Sequence, residues 1–494
     1  MDELLKKLPR AFIAITERLT EDFKASQVYL VGGAVRDLIL KRDTKDYDLV
    51  IRGLNAHQLE GWLQDRGQVS LVGRSFGIFK WQPAGWSGEA IDVALPRTEH
   101  AELGTGQYRD FAIQSDPELP IEDDLSRRDF TINAMALDLK TGQLIDPTDG
   151  QFDLKNKLIR AVGKPAKRFS EDLSRTLRCL RQACQLNFDI EPSTLAAAKN
   201  LSKKAAAGKY QADWLVPREI VARELLKALV AAPAAAISLF EKTGFLTEFL
   251  PEVAAMKSVP QPPEFHSEGD VYKHTLLALR TFTTPAWKIF FDQAKPSLSV
   301  IVATLLHDIG KPLTIKTPAQ HGTDRIRTDG HDTAGAKLIP DICQRLKLTS
   351  YVDAERGGVN VALVVWLVEN HMLLVHGLPQ LLKPSTIYRY FLKDEIWGQA
   401  LQQTIFADAM ASYPKNGKPS ASRLADLRLR LEGIKRELGG RKLVPLVTGN
   451  DIMRLFKLKP GPPIGRLLKL AEEAQLNGLI STKAQAKKFL QDKI

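Results

Sequence analysis

The sequence predicts an α+β chain in which a mixed α/β segment comes first and an almost wholly helical remainder follows. Three observations carry this. Runs rich in branched and aromatic residues, VYLV (28–31), YDLVI (47–51), GIFKWQ (77–82) and AIDVAL (90–95), read as strands of one mixed sheet. They are confined to the first 150 residues, which close on the turn signal DPTDG (146–150). Beyond that turn, apolar residues recur at helical spacing almost to the end. A chain of 494 residues is expected to hold two to four domains with ample core, and its patterning divides it at 1–150, 151–250, 251–414 and 415–494.

Taken in order, an amphipathic start from Leu4 to Phe23 leads to VYLV, two glycines and the helix AVRDLIL. The segment from Arg97 to Arg127, with Gly104, Gly106, Pro117 and Pro120 and no clear period, reads as a mobile loop. RFSEDLSRTLRCLRQACQL (168–186) spaces Leu173, Leu177, Leu180 and Ala183 as one helix, with Ser170 as N-cap and Glu171 and Asp172 in the first turn. KPSLSVIVATLLHDIGKP (295–312) reads as a buried helix stopped by Gly310 and Pro312, and YPKNGKPSAS (413–422) as a linker.

Apolar residues make up 44% and charged residues 26%, the balance of a soluble globular protein. No apolar run reaches the roughly 18 to 20 residues of a membrane span, and MDELLKKLPRAF lacks the apolar stretch of a signal peptide. A cytoplasmic protein without a membrane partner is expected. Cys179, Cys184 and Cys343 give neither a disulfide framework nor paired metal-ligand spacing, which suits a reducing compartment. From Lys415 to Ile494 there are 18 Lys and Arg against 7 Asp and Glu, an excess equal to the net charge of the whole chain, +11. So basic a segment, without a strongly apolar helix face, is expected to attract RNA or DNA.

The sharpest local chemistry lies in LVGGAVRDLILKRDTKDYDLV (30–50). A strand ending in Gly32 and Gly33 and followed by a helix lets backbone N–H groups approach a phosphate chain, with Arg36 one turn along in reach of a triphosphate. Asp46 and Asp48 alternate on a strand, so both carboxylates leave one face and can hold Mg²⁺. A pair of such ions activates a 3′-hydroxyl and stabilises departing pyrophosphate.

These motifs, with RRDFTINAMA (127–136), IDPTDGQFDL (145–154) and SEDLSRTLR (170–178) in the same order, resemble the nucleotidyltransferases of the DNA polymerase β superfamily. Within it the chain is similar to the class II bacterial CCA-adding enzymes and poly(A) polymerases, over about residues 27–250 most closely. The resemblance implies a polymerase-β-like head, an all-helical neck, a body and a tail. It implies that Arg127, Arg128, Asp129 and Asn133 engage sugar and triphosphate, and makes Asp92 either a third carboxylate beside the metals or a structural acid. It also implies that Asp172 and Arg175 imitate the pairing edge of a base. Cytosine and adenine both show an exocyclic amine beside a ring-nitrogen acceptor, so this pair accepts C and A, and a mispaired buried group costs about 1–3 kcal/mol. Arg178 and Arg181 follow on the same helix side, as contacts to triphosphate or RNA. The family usually has Pro-Leu after Glu-Asp; here Leu173 and Ser174 stand there, which leaves the relative preference for C and A open.

Seven of the nine histidines fall between 266 and 376. His307 and Asp308 are adjacent at a helix end, and His274, His331, His371 and Asp408 complete one or two divalent-metal sites from neighbouring helices. Imidazole and carboxylate together suit Ni²⁺, Mn²⁺, Fe²⁺ or Co²⁺ better than Mg²⁺. The order H, HD, H, H, D resembles the HD phosphohydrolases, which implies hydrolysis of phosphomonoesters and 2′,3′-cyclic phosphodiesters. His321 and His376 read as loop residues, and His266 as either packing or a support to the ligands.

VTGNDIMRLFKLKPGPPIGRLLKLAEEAQLNG (447–478) joins an N-capped helix, a PGPPIG turn and a second basic helix, with Lys457, Lys459, Arg466 and Lys469 near the turn. Positive charge without interleaved aromatics suits backbone and shape recognition, and the segment resembles the tRNA-binding tail of class II enzymes. The expected activity is therefore untemplated addition of C and A, from CTP and ATP, to the 3′ end of tRNA, by a monomer or homodimer. The alternatives are a CC-adding, A-adding or poly(A)-making enzyme, or a metal phosphohydrolase with an inert nucleotide-binding head.

Overall fold

The computed structural model describes residues 2–493 apart from 45, 74–77, 102–110, 211–212, 376–378 and 440–441. The chain forms two compact units, Met1–Phe249 and Leu250–Ile494. No described helix is long and apolar enough to cross a membrane.

The first unit is built on strands β1 (Gln27–Val31), β2 (Asp48–Arg52), β3 (Gly67–Gly73), β4 (Ile78–Pro83), β5 (Ile91–Ala94), β6 (Arg97–Ala101), β7 (Phe111–Ser115), β8 (Ala136–Asp138) and β9 (Leu144–Ile145). Seven make one sheet in the order β3-β4-β5-β2-β1-β8-β9. Only β2 and β5 run parallel, which makes the sheet mixed. Alternate residues go to opposite faces. Val28, Leu30, Leu49, Ile51, Ile91 and Val93 pack into one core with helix Gly33–Ile39, whereas Tyr29, Val31 and Val50 pack with Ile121 and Leu125 on the other side. Asp48 has the parity of Val50, so its carboxyl leaves on the face covered by helix Ile121–Ser126, which runs directly into Arg127 and Arg128.

Several sequence expectations are corrected here. The start is two helices, Asp2–Leu5 and Arg10–Asp22, because Pro9 takes an extended conformation at the second N-terminus. The segment 97–127 is not an aperiodic loop. β6 and β7 pair antiparallel and helix Ile121–Ser126 follows, while Gly104, Gly106 and Tyr108 lie outside the described residues. The expected helix 168–186 is two, Pro165–Glu171 and Ser174–Leu186. Asp172, in an extended conformation, accepts from both the backbone N–H (2.9 Å) and the hydroxyl (2.6 Å) of Ser174, so the cap belongs to Asp172 and not to Ser170. Two short strand pairs interrupt the helices that follow, Leu158–Ile159 with Asp189–Ile190 and Lys209–Tyr210 with Asp213–Trp214.

In the second unit, helices Val271–Thr281, Leu298–Leu306, His331–Arg345, Val361–Asn370 and Glu395–Ala411 pack around a common centre. Asp270, Ser297, Asn360 and Asp394 cap four of them. The helix expected over 295–312 ends at Leu306, and Pro312 stands in the first turn of a new helix, Lys311–Thr314, rather than stopping the old one. Gly310 is required by a close approach: a Cβ there would lie 2.0 Å from the His331 carbonyl oxygen. The last three helices, Gly449–Phe456, Pro462–Leu476 and Lys483–Gln491, bury a small core of their own from Val447, Ile452, Ile464, Leu467 and Leu490, with capping boxes at Thr448 and Thr482.

Candidate functional site

In the first unit, the parallel register sets Asp48 opposite Asp92, and carboxylate oxygens of Asp46, Asp48 and Asp92 all lie within 4.8 Å of one another. Asp92 therefore joins the pair, on the same sheet face. Burial, reinforced by the Asp46 carboxylate, pushes the Asp48 carboxyl up to about 7, and burial also raises Asp92. Three acids crowded together are costly without a cation, and oxygen donors at this spacing fit Mg²⁺. Gly32 turns directly above them with φ +73°; a Cβ there would stand 3.1 Å from Asp48 Oδ2 and 3.3 Å from Arg128 Nη1. Gly32→Ala is thus expected to strain the turn and fill the space above the carboxylates, lowering nucleotide addition about 100-fold, the usual cost of a displacement near 1 Å. Steady-state rates taken well below the variant's own melting temperature check this, because strain at φ +73° also lowers stability by about 1–3 kcal/mol.

The arginine pair is aimed by a residue that sequence reading passed over. Buried Asp124 binds Arg127 at 2.5 Å and Arg128 at 3.3 Å. Burial pushes its carboxyl up, but the two guanidinium groups outweigh that and hold it below its ordinary value. The D-x-x-R-R spacing, positions i, i+3 and i+4 of a helix, was the available signal. Arg36 donates to Asn133 Oδ1 at 2.8 Å while forking onto Asp37; Asn133 donates to Asp129 Oδ1 at 3.3 Å, and Arg178 meets Asp129 Oδ2 at 2.7 Å. The IDPTDG turn holds this loop from behind. Thr131 donates to Asp153 at 2.6 Å, and Gly150 leaves no room for a side chain, since a Cβ would lie 2.3 Å from the Thr131 oxygen.

Asp172 and Arg175 are both buried, yet their charged groups are 3.9 Å apart, and Arg175 is nearer Glu171 at 3.1 Å. Arg181, expected to touch triphosphate or RNA, has its guanidinium held by buried Glu224 and by Gln185.

In the second unit, the expected six ligand types do converge. Asp308 stands in the middle: its Oδ2 is 3.3 Å from His307 Nε2 and 3.9 Å from His274 Nε2, its Oδ1 3.4 Å from His331 Nε2 and 3.9 Å from His371 Nε2. Asp408 Oδ1 lies 3.0 Å from His274 Nε2 and 3.8 Å from that of His307. Buried His307 Nε2 makes no hydrogen bond. An orphaned imidazole nitrogen facing two carboxylates, among three more imidazoles, fits a transition metal. Burial, with His307 next, lowers His371 to about 4, so it is a neutral ligand at pH 7. His266 bonds Glu268 at 2.8 Å; His321 closes a short helix, Pro318–His321, rather than lying in a loop; His376 lies outside the described residues.

Residues 28–160 match the Poly A polymerase head domain and residues 271–395 the HD domain. A multifunctional CCA protein of Stenotrophomonas maltophilia is 39% identical over 326 residues, which is 65% of this chain and 72% of that protein. This chain belongs to the family of multifunctional CCA proteins. The crystal structure of the Bacillus stearothermophilus CCA-adding enzyme in complex with CTP is 19% identical, with a TM-score of 0.62 over 98% of both chains. The Thermotoga maritima CCA-adding enzyme complexed with tRNA is 18% identical, with a TM-score of 0.61 over 100% of this chain and 98% of that one. At such identities the likeness is one of fold.

Lys457, Lys459, Arg466 and Lys469 are all exposed, Lys457 in the left-handed conformation that ends helix Gly449–Phe456, Lys459 in the turn after it, and Arg466 and Lys469 on helix Pro462–Leu476.

The position of Asp48 sets a pH dependence. Its folded-state value, about 7, lies above the 3.8 of an ordinary carboxyl, so the folded chain holds a proton between these values that the unfolded chain has lost. Stability from this group is accordingly lost as pH rises through about 7, and a divalent cation, which competes with the proton, restores it. Mg²⁺ is expected to raise the melting temperature more at pH 8 than at pH 6, and nucleotide addition to fall below about pH 7 with a limb that moves to lower pH as Mg²⁺ is increased. A Mg²⁺ effect equal at both pH values would contradict the assignment.

Proposed function

We propose that this protein adds C and A, from CTP and ATP and without a template, to the 3′ end of tRNA, and that its second unit is a metal-dependent phosphohydrolase. The observation that carries the first part is the set of three carboxylates within 4.8 Å beneath the Gly32 turn, with Arg128 at its rim. The relatives named with CTP and with tRNA support the choice of substrates.

In this reading residues 1–150 are the catalytic head, 151–250 the base-selecting neck, 251–414 the HD body and 415–494 the tRNA-binding tail, within a cytoplasmic enzyme. Asp46, Asp48 and Asp92 would hold Mg²⁺, which would supply charge neutralisation at the reacting phosphate and a lowered pKa for the attacking hydroxyl. The chain's residues do the rest. Gly32, Gly33 and Arg36 offer backbone N–H groups and charge to the triphosphate; Arg127 and Arg128, aimed by Asp124, take its oxygens; Asp129 and Asn133 fix the sugar. The acceptor 3′-oxygen forms a bond to the α-phosphorus while the bond to pyrophosphate breaks. Asp172 and Arg175 pair with the edge of C or A, which requires Arg175 to leave Glu171 for the base, and Arg178 lies beside the triphosphate. Arg181 serves to hold Glu224. Lys457, Lys459, Arg466 and Lys469 meet tRNA phosphates, whose contribution weakens steeply with salt. In the body, His274, His307, Asp308, His331, His371 and Asp408 would hold a divalent transition metal, which would supply Lewis acidity at a phosphoester.

Purified protein given tRNAs ending before C74, at C74, at C75 and at A76, each with CTP or ATP alone, tests the reading. Stepwise products that stop at A76 are expected. Extension only from C75, or long A tails, would replace it with an A-adding enzyme or a poly(A) polymerase.

A further inference from the structure

Three of the four histidines facing the cluster in the second unit are oriented in one way, and the fourth in another. His307, His331 and His371 each place Nδ1 against the carbonyl oxygen three residues earlier, at 2.8 Å to Thr304, 2.8 Å to Thr328 and 2.7 Å to Val368. Each ring therefore donates from Nδ1 and turns Nε2 inward. His274 has no such carbonyl partner; its Nδ1 meets the Glu268 carboxylate, Oε1, at 2.8 Å, while Nε2 faces Asp408. The Glu268 side chain is only 3% exposed and both its oxygens are engaged: Oε1 is shared with His266 Nδ1 at 2.8 Å, and Oε2 accepts the Tyr413 N–H at 2.9 Å. Such anchoring is far more than a surface acid would need.

The ligands also divide into two sets whose donor atoms lie within 4.8 Å of one another, His274 with His307 and Asp408, and Asp308 with His331 and His371. Asp308 also faces the first set: its Oδ2, 3.3 Å from His307 Nε2 and 3.9 Å from His274 Nε2, is the oxygen that buried Lys311 Nζ meets at 2.7 Å, with Gln261 Oε1 2.8 Å from the same Nζ. In the first set Asp408 has no cationic side chain of Lys or Arg within ion-pair distance among the described residues.

We propose that Glu268 is a positioning residue for His274, and that through it the half formed by His274, His307 and Asp408 is the tighter of two divalent-metal half-sites. The inference rests on the reading of this unit as a metal site. A carboxylate behind an imidazole fixes its tautomer and strengthens its donor nitrogen more than a neutral carbonyl does, and loss of such a partner commonly costs roughly 10- to 100-fold in metal affinity. Occupancy is then sequential: the first ion enters the half backed by Glu268, the second the half formed by Asp308, His331 and His371.

The test is calorimetric titration of the full chain with Co²⁺, in an Asp46→Ala background so that the carboxylates of the first unit do not contribute. A tight and a weaker equivalent are expected, with Glu268→Gln weakening the tight one by roughly 10- to 100-fold and sparing the other. Unchanged affinity of the first equivalent in Glu268→Gln overturns the proposal. No bound Co²⁺ in the Asp46→Ala protein itself overturns the metal reading, and the inference with it. Independent of any change at Glu268, ¹⁵N resonances of the Zn²⁺-loaded protein should show His274 protonated at Nδ1 and metal-bound at Nε2; the reverse assignment also overturns it.

Discussion

Asp46→Ala is expected to reduce nucleotide addition by about 1,000-fold or more while leaving phosphoester hydrolysis by the second unit intact, and His307→Ala to do the opposite. Two carboxylates on one sheet face supply the charge that a cation needs, and removing one forfeits several kcal/mol of stabilisation at the reacting phosphate, at about 1.4 kcal/mol per tenfold in rate. Asp46 is exposed and precedes β2, so its loss leaves the core untouched. His307 ends helix Leu298–Leu306 and is buried, with Nε2 turned to Asp308 and Asp408, so its truncation removes a donor shared by both. The two activities assayed on the same preparations check the pair of outcomes. Full nucleotide addition by Asp46→Ala would sink the active-site assignment.

Asp124→Ala should be the most damaging single change to the arginine pair. It leaves two guanidinium groups, each about one-fifth exposed, without the buried carboxylate between them. Breaking such a pair costs about 3–5 kcal/mol when fully buried, so about 3 kcal/mol is expected here. The KM for CTP and ATP should rise together, because in the proposed reading the pair meets the triphosphate that both share and not the base that distinguishes them. Thermal melting and steady-state kinetics measure the two effects separately. Unaltered melting together with unaltered KM would show that Asp124 aims nothing. Asp124→Asn, which keeps the shape and loses the charge, should fall between.

The candidate site was legible where chemistry is written in short spacings. Asp48 and the paired glycines lie where a strand and a helix start put them, although Asp46 stands before β2 rather than on it; the six scattered histidines and aspartates were legible only as residue types, since the packing of five helices brings them together. What could not be read depends on contacts between distant segments. Helical spacing runs unbroken from 168 to 186, and only the choice of Asp172 to bond Ser174 breaks it at 172–173. β6 and β7 carry no alternating pattern to announce them, since pairing of the two backbones decides their conformation. The bond of Arg181 to Glu224, 43 positions later, has no counterpart in the helical spacing from which Arg181 was read. Asp92 was undecided until the parallel register set it opposite Asp48. Glu268 gave no signal of its own, because a carboxylate behind a ligand is recognised only once the ligand's ring orientation is known.

The central place of β2 has a consequence for how the head works over many turnovers. β2 is hydrogen-bonded on both edges, to β1 and to β5, so the backbone that carries Asp48 opens only when the sheet itself comes apart. The arginine pair instead hangs from a six-residue helix, Ile121–Ser126, by way of one carboxylate. Permanence and compliance are thereby assigned to different parts. In the proposed reading Asp48 and Asp92, paired in the sheet, keep their places through successive additions, whereas Arg127 and Arg128 are not tied to the sheet's hydrogen bonding.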